Sequence, residues 1–441
     1  MNCFSSFFKQ AILWVITVGT LGVSGAVYPQ ANEQRVSFMA FRTGPVGALS
    51  AAINGAAIDY MNLINDRDGG VNGVKLVWEE CETEYKTDRG IECYERLKNR
   101  ATMFIPVMTG TIYALIERTH ADKIPIVSIG TGRTDSTDGR VFPYVFPLAA
   151  NYLMGNTAKI NFIGQREGGM DKLKGKKIVN LHHGSPFGRE TMQVLDAQAA
   201  KYGFSLVHIE VPGSGAEQQA QWLQIRQFKP DWVILRSVGL MTSAAIKTAQ
   251  RVGYPADRIV GLWWTSELDL ISAGSAAKGV IANTFSPSGR DFPVVKEILT
   301  RYYSGGKRGN MEDSKVVGST TYNSGLLHAI LIVEAVRTAQ KKFGKKAMDR
   351  EQMRWGFEHL NIDAKRIKEL GTAGLVQPLK TSCSDHTGGG AVKFQQWDGQ
   401  NWVAISDWVS GDPSLVDPMI HESAAKYAKE KGITPRDCSK E

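Results

Sequence analysis

Short apolar runs with a two-residue repeat alternate along this chain with longer stretches in which apolar residues recur every three or four positions. The first kind predicts strand and the second helix. Residues 35–40 read as a strand and 48–65 as a helix, which the turn cluster Asp68-Gly69-Gly70-Val71-Asn72-Gly73 ends. Residues 74–79 are the next strand and 87–99 the next helix, with Thr87 as its N-cap. Strands at 103–107 and 124–128 flank a helix at 112–120. This β-α-β-α order argues for a parallel sheet covered by helices.

A proline-punctuated run at 142–147 interrupts the rhythm, which then restarts. A long helical stretch begins at Tyr152, and strands are expected at 176–181, 205–211, 231–235 and 259–263, with helices at 190–202, 218–228 and 242–252 between them. Helices at 292–303 and 319–340 follow. Near the end, 391–397 and 401–405 form two strands joined at Asp398-Gly399, a hairpin signal. A hairpin after a long helix does not extend a βα ladder, so the chain is expected to cross back between two lobes.

The start of the chain changes where this fold should live. Lys9 precedes an apolar run from Ala11 to Val23, and small residues Ser24-Gly25-Ala26 follow. That order reads as a signal peptide over residues 1–26, too short in its apolar part for a membrane anchor, with a cut after Ala26 and Ala31 as second choice. Cys3 lies before the apolar run, where it cannot become the lipid-bearing first residue of a lipoprotein. The expected mature protein is exported, soluble and not membrane-embedded.

Export makes the cysteines informative. Without Cys3, four remain: Cys81, Cys93, Cys383 and Cys438. Four cysteines allow three pairings, and sequence order with loop economy favours Cys81–Cys93 and Cys383–Cys438 in an oxidising compartment. The short ring would contribute about 3 kcal/mol and the long one about 4 kcal/mol by loop-closure entropy. No pair has the C-x-x-C spacing of a zinc site. A chain of 441 residues, 43% hydrophobic and 22% charged, is globular in composition and too long for one core. Its net charge of +8 comes from scattered basic residues and short solvated clusters, so no nucleic-acid partner is expected.

With the elements in order, the chain resembles the type I periplasmic solute-binding proteins of ABC transporters, the branch with the leucine/isoleucine/valine-binding and amide-binding receptors. The marks are Phe41-Arg42-Thr43-Gly44-Pro45 after the first strand, the run from Asn65 to Gly73, the Cys81 and Cys93 pair, and Pro125-Ile126-Val127-Ser128. Gly184-Ser185-Pro186-Phe187-Gly188 and Thr321-Tyr322-Asn323-Ser324-Gly325 complete them. The resemblance implies an α/β, two-lobed fold, each lobe a mostly parallel sheet flanked by helices, with three crossovers forming the hinge. These are placed near 146–147, 283–285 and 390–393. The lobes would be 32–147 with 285–390, and 148–284 with 391–441. It implies a receptor that is not an enzyme, with no cofactor and no metal, whose partners are a small-molecule solute and the membrane subunits of an ABC importer.

Ligands of open parallel sheets sit beyond the carboxyl ends of the strands, where helix N-termini favour anions. Arg42, Thr109, Thr111, Gly130 and Thr131 come forward in the first lobe, with hydroxyls and amides suited to a carboxylate. A departure from the family pattern stands here, where Ile129-Gly130-Thr131-Gly132-Arg133 replaces the usual small turn. In the second lobe Ser185, Phe187, Arg236, Trp264 and Glu267 follow strands. The resemblance places Glu267 where relatives meet a ligand ammonium, which implies an aliphatic or aromatic amino acid. An aromatic acid, short amide or urea is the alternative. Adjacent His182 and His183 point to opposite faces of a strand, which argues against a metal. No phosphate-loop, nucleophile-elbow or zincin string occurs. The rival classes are a soluble sensory ligand-binding module and a secreted α/β enzyme, which turnover would reveal.

Overall fold

A computed structural model describes residues 32–44, 46–304 and 309–440. The expected leader lies outside these residues. The first sheet holds five parallel strands, β1 (Glu33–Ala40), β2 (Lys75–Glu82), β3 (Phe104–Pro106), β4 (Ile126–Ile129) and β5 (Val145–Leu148), in the order β2-β1-β3-β4-β5. The second holds β6 (Lys177–His183), β7 (Ser205–Val211), β8 (Trp232–Arg236), β9 (Ile259–Gly261) and β10 (Ile281–Thr284), all parallel. β11 (Asn361–Ile362) and β12 (Leu379–Lys380) pair apart from both sheets. β13 (Lys393–Trp397) and β14 (Trp402–Ala404) add the expected hairpin, antiparallel, to the edge at β10. This is the two-lobed, mostly parallel architecture read from the sequence.

Helices cover the sheets. In the first half they are α1 (Gly47–Asp68), α2 (Thr87–Leu97), α3 (Thr109–Asp122), α4 (Tyr152–Glu167), α5 (Pro186–Arg189), α6 (Met192–Tyr202) and α7 (Gln219–Phe228). The rest are α8 (Leu240–Arg251), α9 (Glu267–Ala273), α10 (Pro293–Ile298), α11 (Thr320–Phe343), α12 (Arg350–Glu358), α13 (Ala364–Glu369) and α14 (Pro413–Lys431). None of the described helices is long and apolar enough to cross a membrane. Thr87 is the first helical residue of α2 and Lys86 its cap, so the expected N-cap is off by one. The helix expected over 190–202 is α6, which starts two residues later, at Met192; the short α5 before it, ending at Arg189, was not expected.

The chain leaves the first sheet after β5, returns from the second after β10, and crosses again between β12 and β13. We propose 32–147 with 285–390 and 148–284 with 391–441 as the lobes; the first set carries the first sheet with β11 and β12, and the second set carries the second sheet. One apolar cluster runs through both, from Val36 and Phe146 to Ile178 and Phe394. Its densest contact packs α11 on α1 at Gly325, where a Cβ would collide with the Ile53 carbonyl. Such close backbone approach admits only glycine. Both expected disulfides, Cys81–Cys93 and Cys383–Cys438, are formed.

Candidate ligand cleft

Strand ends decide what lies between the lobes. β8 ends at Arg236, β3 runs into α3 at Thr109, and β6 passes through Ser185 into α5, which carries Phe187. Arg236 is only 2% exposed. Its guanidinium lies 4.0 Å from the ring centre of Tyr152 and 4.7 Å from that of Phe187, within cation–π range of both. Its Nε donates to the Phe187 carbonyl at 2.6 Å, while its Nη2 is buried with no partner in the protein. Burial pulls its pKa down, and the charges of Tyr152 and Glu190 oppose that. An arginine stays charged through this.

Tyr152 is the first residue of α4, fixed by Asn151, whose side chain accepts from the Met154 N–H. Its ring lies flat against Trp263, 5.4 Å between centroids at 4°, and its hydroxyl accepts from Trp264 Nε1 at 2.9 Å. Burial drives that hydroxyl well above the ordinary phenol range. Leu49, Tyr85, Val107, Thr109, Tyr152, Phe187, Val238 and Trp264 enclose a cavity of about 20 Å³. That is room for about one water, so the lobes meet closely here.

Glu190 spans the lobes. Its Oε1 accepts from Thr134 N at 2.7 Å and from Thr134 Oγ1 at 2.6 Å, while its Oε2 is buried with no partner. The Oε2 atom sits where a Cβ on Gly132 would stand, so a side chain there would displace the Glu190 carboxylate. Burial raises the Glu190 pKa, and the Thr134 bonds and the Arg236 charge counter it. Gly130 has φ +61°, lies against Phe285 and accepts from Trp263 Nε1 at 2.8 Å, a second contact across the cleft.

Of the residues expected here, the structure brings Thr109, Phe187, Arg236 and Trp264 together, with Gly130 beside them. Thr131 is buried and its Oγ1 has no partner. Four others it does not bring. Arg42 turns outward into a two-point ion pair with Glu80, 2.7 and 3.0 Å long, because β1 and β2 pair side by side and set the two ends together. Thr111 packs on Gly90 of α2. Ser185 Oγ meets His183 Nδ1 at 2.8 Å. Glu267 lies within the Ser266–Asp269 capping box as the first residue of α9, and its Oε1 accepts from Thr320 N at 2.7 Å, capping α11. It lines a separate groove of about 670 Å³ with Leu268, Ile271 and Arg290, and burial raises its pKa.

Sequence reading missed Tyr152, read only as the start of a helix, and Glu190, read only as helical. Both signals were available. Asn151 before an aromatic is an N-cap that fixes the ring at a crossover. Glu190 is a carboxylate one turn beyond the strand-loop-helix entry of Phe187.

Residues 33–401 match the periplasmic binding protein family. Among solved structures, a protein of the Pseudomonas fluorescens group described as an ABC transporter permease is 48% identical, with TM-score 0.87 over 92% of this chain and 99% of its own. A branched chain amino acid ABC transporter from Thermus thermophilus with bound valine is 21% identical, with TM-score 0.73 over 88% of this chain and 99% of its own. An ABC transporter solute binding protein from R. palustris in complex with benzoate is 17% identical, with TM-score 0.66 over 87% of this chain and 97% of its own. The last two are likenesses of fold. None of the curated proteins matches the chain. With the two sheets, the crossovers and the family match in hand, the chain belongs to the type I periplasmic binding proteins, which are solute-binding receptors of ABC transporters and not enzymes.

Proposed function

We propose that this receptor acts in the periplasm, closes its lobes on a small carboxylate-bearing solute, best an aliphatic or aromatic amino acid, and delivers it to the membrane subunits of an ABC importer. The observation that carries the reading is Arg236, a buried guanidinium with an unused Nη2 between two aromatic rings. A buried charge without a full set of partners is costly, and a carboxylate binding there repays that cost with charge-assisted hydrogen bonds. Tyr152, Phe187 and Trp264 supply the apolar walls that suit the rest of such a solute. The Glu190 Oε2 takes the ammonium-facing role that the family resemblance implies for Glu267, since Glu267 caps α11.

The 20 Å³ cavity is smaller than any amino acid, so binding requires the lobes to part and close again around the solute. An aromatic acid without an ammonium is the second reading, favoured by the ring-lined walls. Thermal unfolding against amino acids, aromatic acids, amides and urea names the class, since a ligand at about a hundred times its Kd adds roughly 2.7 kcal/mol to the native state. Calorimetry of the stabilising solute on Arg236→Met should show affinity down at least a hundredfold, about 2.7 kcal/mol. Binding of a carboxylate unchanged in that variant would refute the site.

A further inference from the structure

The family match ends at residue 401, and α14 lies wholly beyond it. The helix crosses from one lobe to the other on the outside of the molecule. Its first half is seated on the second lobe: Val416 and Ile420 pack with Val194 of α6 and with Leu153 and Met154 of α4. Just before it, Asp412 N donates to Thr157 Oγ1 at 2.9 Å and the Asp412 carboxylate takes Lys201 at 2.6 Å. Its second half is seated on the first lobe, where Ala424, Tyr427 and Ala428 join the cluster of Phe142, Ile112 and Ile116. Beyond the helix, Arg436 reaches Glu358 and Cys438 is bonded to Cys383, so the far end is tied down as well.

What α14 holds on the first lobe is the loop that reaches the cleft. Tyr427 stacks on Phe142 at 4.9 Å, and the Arg133 guanidinium lies 4.5 Å from the centre of the Tyr427 ring. Arg133 pairs with both oxygens of Asp135, and Ser423 Oγ donates to Asp135 Oδ2, which Arg133 Nη2 also reaches, at 2.7 Å. Thr134 lies between those two residues and supplies both hydrogen bonds to Glu190. The contacts made by Ser423 and Tyr427 therefore fix the residues on either side of the interlobe bridge.

We propose that α14 is a brace between the lobes, and that Ser423 and Tyr427 are positioning residues which hold the 133–135 loop so that Thr134 meets Glu190. The brace biases the molecule toward the closed arrangement from outside the cleft, whatever the solute. It acts as a preformed share of the closing free energy, which raises the fraction of molecules competent to hold solute.

Amide hydrogen exchange on the solute-free protein tests this, because the Thr134 N–H reports the bridge directly. In Ser423→Ala/Tyr427→Ala the Thr134 amide should lose at least tenfold of its protection, while Val36 in β1 and Val179 in β6 keep theirs. X-ray scattering should show a larger radius of gyration for the solute-free variant. Tyr427→Phe, which keeps the ring, should behave as the parent does. Ser423→Ala alone removes one hydrogen bond and keeps the packing, so it gives a folded variant with a smaller loss in the same direction. Thr134 protection and radius of gyration both unchanged in folded Ser423→Ala/Tyr427→Ala would overturn the proposal. Neither readout involves a solute, so the brace can fail while the Arg236 site stands, and the reverse.

Discussion

Glu358 and Glu190 are both carboxylates withdrawn from water, and the protein furnishes them in opposite ways. Glu358, at the end of α12, has a fully buried side chain with Arg354 at 3.0 Å, Arg436 at 2.6 Å and His386 at 3.3 Å. His386 in turn is stacked on Phe146 and bonded to the Val145 carbonyl. Both Glu358 oxygens are engaged, and the cluster ties the C-terminal tail to the first lobe. Glu190 keeps one oxygen idle, and its neighbour Arg236 keeps one nitrogen idle. A satisfied buried charge network holds structure, whereas an unsatisfied one leaves stability unclaimed that a solute can supply. That difference, more than burial itself, separates scaffold from site.

The largest expected effect comes from the satisfied side. Glu358→Ala strands the Arg354 and Arg436 guanidinium groups and leaves His386 without its carboxylate, and breaking a buried pair by removing one member costs about 3–5 kcal/mol. Denaturant unfolding should register it as a lower midpoint with unchanged slope. The pH dependence has a definite sign. These partners hold the Glu358 pKa down to about 2 against an ordinary 4.5, despite the opposing effect of burial. Its contribution is therefore present in full above about pH 4.5 and drains away as pH falls toward 2. The parent should lose that stability in acid, and Glu358→Ala should have none of it left to lose; parallel acid curves would mean the cluster is not what the geometry says.

Arg236→Met should do the reverse of Glu358→Ala in the solute-free protein. Removing a buried, incompletely bonded cation and filling its place with an apolar chain of similar reach ends the cost of keeping that charge out of water, so the change should be neutral or stabilising. A melting temperature that holds or rises, measured without solute, keeps Arg236 in the class of groups retained for binding. A fall as large as that of Glu358→Ala would move it to the scaffold and erase the contrast.

The sequence made one side of this contrast easier to see than the other. Strands and helices of both lobes were legible because each lobe repeats a β-α pattern whose periods differ sharply, and because parallel strands buried on two faces read as apolar runs such as residues 231–235. The hairpin at Asp398-Gly399 and both disulfides followed from local chemistry. Within the proposed site, the sequence placed Arg236 and Phe187 at or just past strand ends, where the structure has them. Glu267 and Arg42 have their side chains turned to other partners for a physical reason: strand-end position says which face of a lobe a residue occupies, but the partner that captures its side chain, Thr320 or Glu80, comes from elsewhere in the chain. The helix α14 went unread although Pro413 at its first turn and Gly432 just past its end are the ordinary boundary signals. Residues 341–381 supply α12 with Glu358.

The smallest effect is the sharpest test, because it should carry the opposite sign of pH dependence. Burial raises the Glu190 pKa above its ordinary 4.5, so the folded state favours the protonated acid. Such a group contributes stability that is present below about pH 4.5 and is lost as pH rises through the folded pKa. Glu190→Gln keeps an oxygen for the Thr134 N–H and hydroxyl and removes the charge. In the solute-free protein it should match the parent near pH 4 and become the more stable of the two toward pH 7, by a melting shift of a few degrees at most. The same variant should weaken an amino acid and leave a simple carboxylic acid nearly untouched, since only the former brings an ammonium to the idle Oε2. A stability difference that shrinks with rising pH would remove Glu190 from the strained side of the comparison. Equal weakening of both solutes would leave the carboxylate with Arg236 and give the second reading, an aromatic acid, the site.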